Sequence, residues 1–385
     1  MVARGRRRGC VMSRKGWSGH PSSQGQGCPV PTDRSSCAQI ERNGDEDTVN
    51  MIATVENIDR STTAALVTRA HTTTLKTGVE PSTEFEKKGL ARYAVNVGTK
   101  CGHDCTYCST GSVLRMHDSF KAAGENPFDL GYAIVDPTTP ERVAYDARTI
   151  KLENRGMVQL CATTDAWSPE AQEYDLGRRC LQAILNEPGW SVRILTKNAA
   201  VAKDFDLIQQ HRDRVLVGLS LTAPPSKAQI MRVVEPHAST IPERIAALRE
   251  VHRLGLRTYA MLCPLLPGVA DDLESIEELV QIGVNIGAEE FFVENVNPRG
   301  KNLKHTVRAL REAGYNREAA AVDQVRHKIE WSGYVVRLVG NVQEALRRHG
   351  ALGKLRFLLY SASLTETDVA WIRRHGDGVM LLVKE

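Results

Sequence analysis

The sequence contains no stretch that approaches the roughly 18 to 20 uninterrupted apolar residues a membrane-spanning helix needs. Its arginine-rich beginning is not followed by the apolar run of a signal peptide, so the sequence predicts a cytoplasmic location. With 42% hydrophobic and 25% charged residues among 385, the composition excludes collagen-like, coiled-coil and wholly disordered proteins. A globular protein of one large or two small domains remains.

The chain also has little net charge, and its basicity lies at one end. The formal charge is +4, whereas the first twenty residues carry +6 and no acid, through Arg4, Arg6, Arg7, Arg8, Arg14 and Lys15. The other 365 residues therefore carry −2, the difference between +4 and +6. Residues 1–50 are polar without apolar periodicity and are predicted to form a disordered basic tail, followed by an N-terminal extension at 51–89. Such a tail either touches nucleic acid or anionic lipid, or is a solvated extension, or reflects a true start at Met12 or Met51.

From about residue 90, short apolar runs alternate with amphipathic segments, which predicts βα units and a parallel sheet. In the segment 241–254, Ile245, Leu248 and Val251 share one face, and Gly255 ends the helix. Six strands are predicted, at residues 92–98, 157–163, 191–196, 214–220, 256–262 and 289–294. The G-x-G-x-x-G turn of a dinucleotide-binding sheet is missing after the first strand. We therefore predict an α/β fold with a partial (β/α)6 barrel of the TIM type over residues 90–300, whose functional groups lie at the carboxyl ends of its strands.

Residues 301–385 are predicted to form a C-terminal α/β extension that caps the open side of the barrel. Its pattern predicts helices at 303–313 and 317–331 and a strand at 334–339, with further apolar runs at 354–360 and 378–383. Trp331 and Trp371 are predicted to be core residues.

Three of the nine cysteines stand close together in the loop that leaves the first predicted strand. Cys101, Cys105 and Cys108 have C-x3-C-x2-C spacing, which allows three thiolates to reach one metal centre. Three thiolates are one fewer than a structural zinc or a fully ligated four-iron cluster requires, and an open coordination position is where metal sites do chemistry. The alternative is a structural zinc site completed by His103 or His117, although no second C-x2-C or H-x3-H pair follows.

The C-x3-C-x-aromatic-C motif on the first strand of a partial barrel resembles the radical S-adenosylmethionine (SAM) superfamily. The resemblance implies that Cys101, Cys105 and Cys108 hold a [4Fe-4S] cluster whose remaining iron is chelated by SAM. It also implies that Tyr107, before the third cysteine, lines the adenine. No cysteine lies beyond Cys263, which disfavours a second cluster.

Further motifs are similar to the spore photoproduct lyase-like branch of that superfamily, which is related to DNA-repair photolyases. They follow successive predicted strands and are Cys161-Ala-Thr-Thr-Asp165-Ala-Trp-Ser-Pro169-Glu170, Thr196-Lys197-Asn198, Gly218-Leu-Ser220, Val234-Glu235-Pro236-His237 with Arg244, and Pro264-Leu-Leu-Pro267-Gly268. The resemblance implies that Thr164, Lys197 and Ser220 contact SAM.

The chemistry of SAM agrees with these residue types, because its carboxylate, hydroxyls and adenine need a cation, hydrogen-bonding hydroxyls and an aromatic wall. Each assignment has an alternative. Thr164 and Ser220 are equally suited to helix N-caps, and Lys197 to solvent. Glu235 is either an acid on the catalytic face or a turn residue, and Asp165 either contacts substrate or caps a helix.

Two positions depart from the lyase pattern. Ala162 stands where those lyases have the cysteine that returns a hydrogen atom to the product radical, and Cys161 lies one residue earlier, which turns a strand side chain to the other face. Ser109 stands where they have a tyrosine. Cys161 is therefore kept as a candidate catalytic hydrogen donor but, like Cys180 and Cys263, is more simply a buried core thiol. The remaining cysteines, Cys10, Cys28 and Cys37, belong to the predicted tail.

The resemblance implies an enzyme that reductively cleaves SAM at a [4Fe-4S] cluster. The resulting 5′-deoxyadenosyl radical abstracts hydrogen from substrate, and a ferredoxin- or flavodoxin-type protein supplies the electron. The branch favours a nucleic-acid lesion as substrate, but the nearly neutral body gives that choice no electrostatic support. The alternatives are radical modification of a peptide or small metabolite, and a non-catalytic scaffold with zinc on the three cysteines. No membrane partner is predicted.

Overall fold

The computed structural model describes residues 69–161, 163–298 and 301–382. All of these belong to one compact unit. The predicted basic tail, with its three cysteines and both alternative start residues, lies outside the described residues. The predicted internal boundaries at residues 90 and 300 stay predictions.

The strands of the described residues confirm the α/β fold. They are β1 (Arg69–Thr72), β2 (Glu80–Pro81), β3 (Tyr93–Val95), β4 (Gly98–Lys100), β5 (Tyr132–Val135), β6 (Met157–Leu160), β7 (Ser191–Thr196), β8 (Val215–Leu219), β9 (Arg257–Thr258), β10 (Ala260–Leu265), β11 (Phe291–Asn295), β12 (Leu355–Tyr360) and β13 (Val379–Leu382). The six predicted strands correspond to β3, β6, β7, β8, β9 with β10, and β11. Their almost continuous burial is typical of a parallel sheet covered on both faces.

Parallel pairing joins most of these strands into one curved row. The order β3-β6-β7-β8-β9 is parallel throughout, and the short β2 pairs antiparallel with the free edge of β3. A bridge between Ser220 and Met261 connects β8 to β10, from which β11, β12 and β13 continue in parallel. Within the described part of the chain, no pairing closes β13 onto β2 or β3. The fold is therefore a partial barrel, as predicted, and the last two strands extend it.

Helices cover the outside of the row. Among the described residues they are α1 (Thr83–Lys87), α2 (Thr110–Val113), α3 (Asp118–Ala123), α4 (Thr139–Thr149), α5 (Pro169–Gln172), α6 (Leu176–Leu185), α7 (Phe205–Gln210), α8 (Ala228–Val234), α9 (Ile241–Arg253), α10 (Leu273–Asn285), α11 (Asn302–Glu312), α12 (Asn316–Gln324), α13 (Lys328–Arg348) and α14 (Glu366–His375). Helix α9 begins at a reciprocal capping box between Thr240 and Glu243 and ends before Gly255, which has φ of +64°. None of these helices is long and apolar enough to cross a membrane.

A second, small sheet changes the expected path of the first strand. Strand β3 ends at Val95 rather than at the predicted residue 98. After two residues the chain enters β4, which pairs with β5, and β5 also pairs with β1. The cysteine loop therefore leaves β4 of the small sheet and not the barrel strand itself. Pairing between β1 and β5 joins residues more than sixty positions apart, which no local pattern reveals.

In the C-terminal segment one predicted helix is confirmed, the next is divided into two helices, and one predicted strand is wrong. Helix α11 matches the prediction at 303–313, whereas the segment 317–331 is divided between α12 and α13. The strand predicted at 334–339 is wrong, because these residues lie in the middle of α13. Tyr334, Val335, Leu338, Val339 and Val342 are all buried, so an apolar helical face extends through the apparent strand and prevails over local β propensity.

Candidate active site

The carboxyl ends of the barrel strands enclose a cavity of about 570 Å³. Four of the predicted site residues line it together, namely Tyr107, Cys161, Lys197 and Ser220, and so does the third cysteine of the motif, Cys108. A volume in this range is typical of sites for small molecules and cofactors. The prediction that functional groups collect at this end of the barrel therefore agrees with the placement of these side chains.

Thr164 is not among the residues that line the cavity. It is buried, and its neighbour Thr163 lines the cavity instead. Thr163 also ties two loops together, because its carbonyl accepts a 3.0 Å hydrogen bond from the hydroxyl of Thr110 and its amide donates to Asn96 at 2.9 Å. A SAM contact by Thr164 stays a prediction.

The three motif cysteines line one pocket at the mouth of the barrel. Cys105 is buried, Cys101 half-buried and Cys108 exposed. Among the described residues, no three His, Cys, Asp or Glu side chains stand close enough together to hold a metal ion, so the thiols share a pocket without converging on one point. Three thiols from one loop nevertheless have the number and the chemistry that an iron–sulfur cluster with one open iron requires. Burial raises the pKa values of the Cys101 and Cys105 thiols.

The first half of the cysteine loop is held by carboxylates from the segment that follows β6. The amide of Gly102 donates to the carboxylate of Glu170 at 2.7 Å, and Nδ1 of His103 lies 3.5 Å from Oδ2 of Asp165. Asp165 also accepts hydrogen bonds from the hydroxyl of Thr196 and the amide of Lys197, each at 2.8 Å. Its Oδ1 also accepts a 2.9 Å hydrogen bond from the amide of Trp167, two residues later. Asp165 joins the cysteine loop to the end of β7. A substrate contact by Asp165 stays a prediction.

The second half of the loop is held by elements much later in the chain. The amide of Thr106 donates to the carbonyl of Val234 at 2.9 Å, and its hydroxyl donates to that of Thr306 at 3.1 Å. The side-chain amide of Asn302, at the start of α11, donates to the carbonyl of Tyr107 at 2.8 Å. These bonds from both sides fix the backbone that carries the thiols, and such support is what a precise cofactor site needs.

A buried arginine joins the three loops that carry the predicted SAM contacts. Arg244, 1% exposed, donates to the carboxylate of Glu235 at 2.5 Å, to the carbonyl of Ser220 at 3.0 Å and to that of Ser239 at 2.8 Å. Glu235 in turn accepts a hydrogen bond from the hydroxyl of Tyr107. The amide of Ser239 donates to the carbonyl of Lys197 at 3.1 Å. We call Arg244, Glu235 and Tyr107 the arginine relay.

Glu235 is buried and is not among the residues that line the cavity, so the two alternatives left open for it stay predictions. Burial acts to raise the pKa of Glu235, but the charges of Arg244 and Lys197 and the hydrogen bonds outweigh it and hold that pKa below its ordinary value. For Lys197, burial acts to lower the pKa, and the charge of Glu235 more than compensates. The Lys197 ammonium lies 5.9 Å from the centre of the Tyr107 ring. Lys197 is therefore a charged group of the site and not a solvent-exposed one.

Cys161 has an unusual backbone. It is 2% exposed and has φ of +50°, in the left-handed region that residues other than glycine rarely adopt. Burial raises the pKa of its thiol. Strained backbone of this kind persists where the surroundings enforce it and is concentrated at functional sites. Ala162, which stands in the lyase donor position, lies outside the described residues.

Cys263 is the residue that the sequence analysis placed wrongly. It is half-buried and lines the cavity, so it is not a core thiol, whereas Cys180 is fully buried in α6 as expected. The Cys263 thiol donates to Oε2 of Glu294 at 3.3 Å. No local pattern predicts this contact, because the two residues are on separate strands, β10 and β11, that pair only in the folded protein. Trp331 is buried as predicted but also lines the cavity.

The two histidines considered as zinc ligands differ in how their ring nitrogens are used. Nε2 of His103 is buried and has no hydrogen-bond partner among the described residues. His103 faces Asp165 as described, and Nδ1 of His117 accepts a 3.2 Å hydrogen bond from the amide of Ser119 at the start of α3. Neither histidine lines the pocket of the three cysteines.

Comparison with known proteins finds similar sequences and similar structures. Residues 95–281 match the family model of the radical SAM superfamily. The uncharacterized protein ORF301 of Acidianus two-tailed virus is 23% identical over 237 residues, which cover 59% of this chain and 77% of the viral protein. The uncharacterized protein Rv2578c of Mycobacterium tuberculosis is 26% identical over 210 residues, or 54% of this chain and 60% of that protein. Among solved structures, a mutant of spore photoproduct lyase is similar, with a TM-score of 0.46, 16% identity, and coverage of 63% of this chain and 66% of that one.

Proposed function

The chain contains a radical SAM domain, and on that premise we propose that it cleaves SAM reductively and uses the resulting radical to abstract a hydrogen atom from a substrate held in the barrel cavity. A [4Fe-4S] cluster and SAM are the cofactors of this superfamily. When bound, they supply a 5′-deoxyadenosyl radical. Cys101, Cys105 and Cys108 would hold the cluster.

One observation carries the proposal. Cys108, Thr110 and Thr163 line both the pocket of the three cysteines and the large cavity, so the predicted cluster ligands open directly onto the space where SAM and substrate would lie. Side chains suited to SAM stand in the same cavity: the ammonium of Lys197, the ring of Tyr107 and the hydroxyl of Ser220. A zinc scaffold requires no such connection.

The protein's own residues have three tasks in this reaction. Lys197 would bind the SAM carboxylate, and Tyr107, held by Glu235, would form a wall for the adenine. The apolar wall of the cavity, which includes Leu195, Met261 and Leu358, would exclude water from a carbon radical that reacts with whatever is nearby.

The test is anaerobic reconstitution with iron and sulfide, followed by incubation with SAM and dithionite. We expect bound iron, the visible absorbance of an iron–sulfur cluster, and release of 5′-deoxyadenosine. Single alanine substitutions of Cys101, Cys105 and Cys108 should abolish all three. Cys180→Ala removes a fully buried thiol that lines neither the cysteine pocket nor the cavity, and should leave them intact. Tightly bound zinc with no iron, or iron without 5′-deoxyadenosine, would contradict the proposal.

The catalytic role of Cys161 is tested separately. If its thiol returns hydrogen to the substrate radical, Cys161→Ala should leave 5′-deoxyadenosine release unchanged while the finished product disappears. A variant that still forms normal product would remove Cys161 from the mechanism. Cys263→Ala is the informative comparison, because that thiol lines the same cavity.

Radical SAM enzymes need an external electron donor, and we propose a ferredoxin- or flavodoxin-type protein in that role. A nucleic-acid lesion is the substrate class suggested by the resemblance to spore photoproduct lyase. Turnover of 5′-deoxyadenosine with irradiated DNA, compared with a pool of peptides and small metabolites, distinguishes the substrate classes.

A further inference from the structure

The side of the cavity formed by β10, β11 and β12 carries charged groups that the SAM site does not use. Lys88, which follows α1, and Glu294 and Cys263, near the ends of β11 and β10, all line it. The Lys88 ammonium lies 3.7 Å from Oε1 of Glu294 and 3.8 Å from Oε1 of Glu84. Both distances exceed that of a hydrogen bond, although the Lys88 side chain is only 11% exposed. A largely buried ammonium is thus held near carboxylates without being saturated by them.

Aromatic rings fix the position of this ammonium. It lies 5.4 Å from the centre of the Tyr360 ring and 5.9 Å from that of Phe85, within the range of cation–π attraction. Glu294 is likewise only partly used. Among the described residues its polar contacts are the Cys263 thiol and the more distant Lys88, whereas a carboxylate offers about four acceptor sites. Strong donors and strong acceptors therefore stand side by side, facing the same space.

The charged side chains on the β10–β12 side of the cavity limit the kinds of ligand that it can bind. The cavity is lined by two lysines, Lys88 and Lys197, and two acids, Glu84 and Glu294. Lys197 is paired electrostatically with Glu235, so the β10–β12 side has two carboxylates to one ammonium. A phosphate backbone would need additional cations here. A ligand that carries its own ammonium next to a carboxylate complements both signs.

We propose that Lys88 and Glu294 form the recognition subsite for an α-amino acid group, binding its carboxylate and its ammonium respectively. In such a ligand the two charges are attached to one carbon, which suits protein charges 3.7 Å apart. Tyr259, Trp331 and Leu358 line the same cavity and would receive an aromatic or apolar side chain. The subsite would accept either a free amino acid or the N-terminal residue of a peptide. It assigns a substrate class to the proposed radical reaction and rests on that function for its purpose, although binding itself requires no turnover.

The test is calorimetric titration of the reconstituted protein, in the presence of SAM, with four probes: L-phenylalanine, its amide, N-acetyl-L-phenylalanine and thymidine 5′-monophosphate. L-Phenylalanine should bind, and acetylation of its amine should weaken binding about tenfold or more, since the half-buried Glu294 carboxylate then loses its charged partner. The amide should bind if peptide N-termini are accepted and should fail if only free amino acids are.

Substitutions of Glu294 and Lys88 show which residue binds which charge of the ligand. Glu294→Gln should reproduce the loss for ligands with a free amine, and Lys88→Met should weaken L-phenylalanine but not its amide. Glu290→Gln is the matched control. Glu290 stands four residues before Glu294, next to the same strand, and lies outside the cavity lining. The substitution removes a carboxylate that is paired with Arg193. This variant should bind like the unsubstituted protein.

Equal affinity for L-phenylalanine and its N-acetyl derivative would overturn the subsite, as would tighter binding of the nucleotide or no binding of any probe. Release of 5′-deoxyadenosine with SAM and dithionite is measured in parallel on the same preparation. If cleavage occurs and binding does not, only the subsite is wrong; if binding occurs without cleavage, only the proposed function is wrong.

Discussion

Removal of Arg244 should be among the most damaging single changes outside the cysteine motif. Its guanidinium is 1% exposed and donates to one carboxylate and to two backbone carbonyls. In Arg244→Met these acceptors lose their donors, and Glu235 is left as a buried charge with Tyr107 as its remaining hydrogen-bond donor. Because the arginine connects the loops of Tyr107, Ser220 and Lys197, the damage should reach SAM binding as well as stability.

The magnitude follows from the kind of contact. Removing one partner of a buried ion pair costs about 3 to 5 kcal/mol, mostly because the other charge stays buried and uncompensated. Tyr107→Phe removes a single hydrogen bond to a charged group, which is worth about 1.5 to 3 kcal/mol. In the double variant Glu235→Gln/Arg244→Met no buried charge is left in the pair. The double variant should therefore lose clearly less free energy of unfolding than the sum of the losses of Glu235→Gln and Arg244→Met measured singly.

The assay is urea unfolding of all variants, together with the affinity for SAM measured by titration of the reconstituted protein. Arg193→Met is the control, since Arg193 is also a buried arginine, hydrogen-bonded to the carbonyl of Leu90 and paired with Glu290, and is not one of the predicted SAM contacts. It should lose stability but keep its affinity for SAM, whereas Arg244→Met should lose both. Additive effects of the two relay substitutions, or a cost for Arg244→Met below about 1 kcal/mol, would refute the reasoning.

Two further predictions use matched pairs. Asn302→Ala removes hydrogen bonds at 2.8 and 2.7 Å to the carbonyls of Tyr107 and residue 297; it should destabilise the protein by about 1 to 3 kcal/mol and accelerate the loss of iron to a chelator. Asn341→Ala, which removes a comparable 2.9 Å bond on α13, should leave iron retention unchanged. Gly218→Ala would place a methyl group 2.4 Å from the Tyr259 ring and should cost about 1 to 3 kcal/mol through overpacking. Gly340→Ala, where nothing lies within 4 Å of the added methyl group, should instead stabilise α13 by roughly 0.5 to 1 kcal/mol. Urea unfolding curves of the two glycine variants measure both effects. A Gly218→Ala protein as stable as the unsubstituted one would show that β8 can shift.

The barrel was predictable because each of its strands is a short apolar run between helical segments, so the pattern alone located all six. The small sheet was not, since β1, β4 and β5 are too short and too far apart along the chain for local periodicity to show their pairing. Residues 334–339 resemble a strand because valine and tyrosine favour strands locally. Only the continuation of the apolar face over 21 residues indicates the helix.

The sequence motifs made part of the candidate site predictable. Spacing alone indicated the three cysteines, whereas the assignment of Tyr107, Lys197 and Ser220 came from the resemblance to radical SAM enzymes. These three residues line one cavity with Cys108. The role of Glu235 could not be inferred, because its partner is an arginine one helix later whose orientation is a tertiary property. The same reason applies to Lys88, Cys263 and Glu294, which meet only when separate strands and α1 come together.

The anchoring of the cysteine loop by α11 also bears on how the protein acquires its cofactor. Thr306 and Asn302 bond to Thr106 and Tyr107 across 200 and 195 positions of sequence, and both lie beyond residue 281, where the family-model match ends. While the chain is being synthesised, the loop emerges long before the helix that secures its second half. We therefore expect stable insertion of the cluster only after translation has passed α11, and we expect the smallest fragment that retains iron to extend past residue 281, where the family-model match ends.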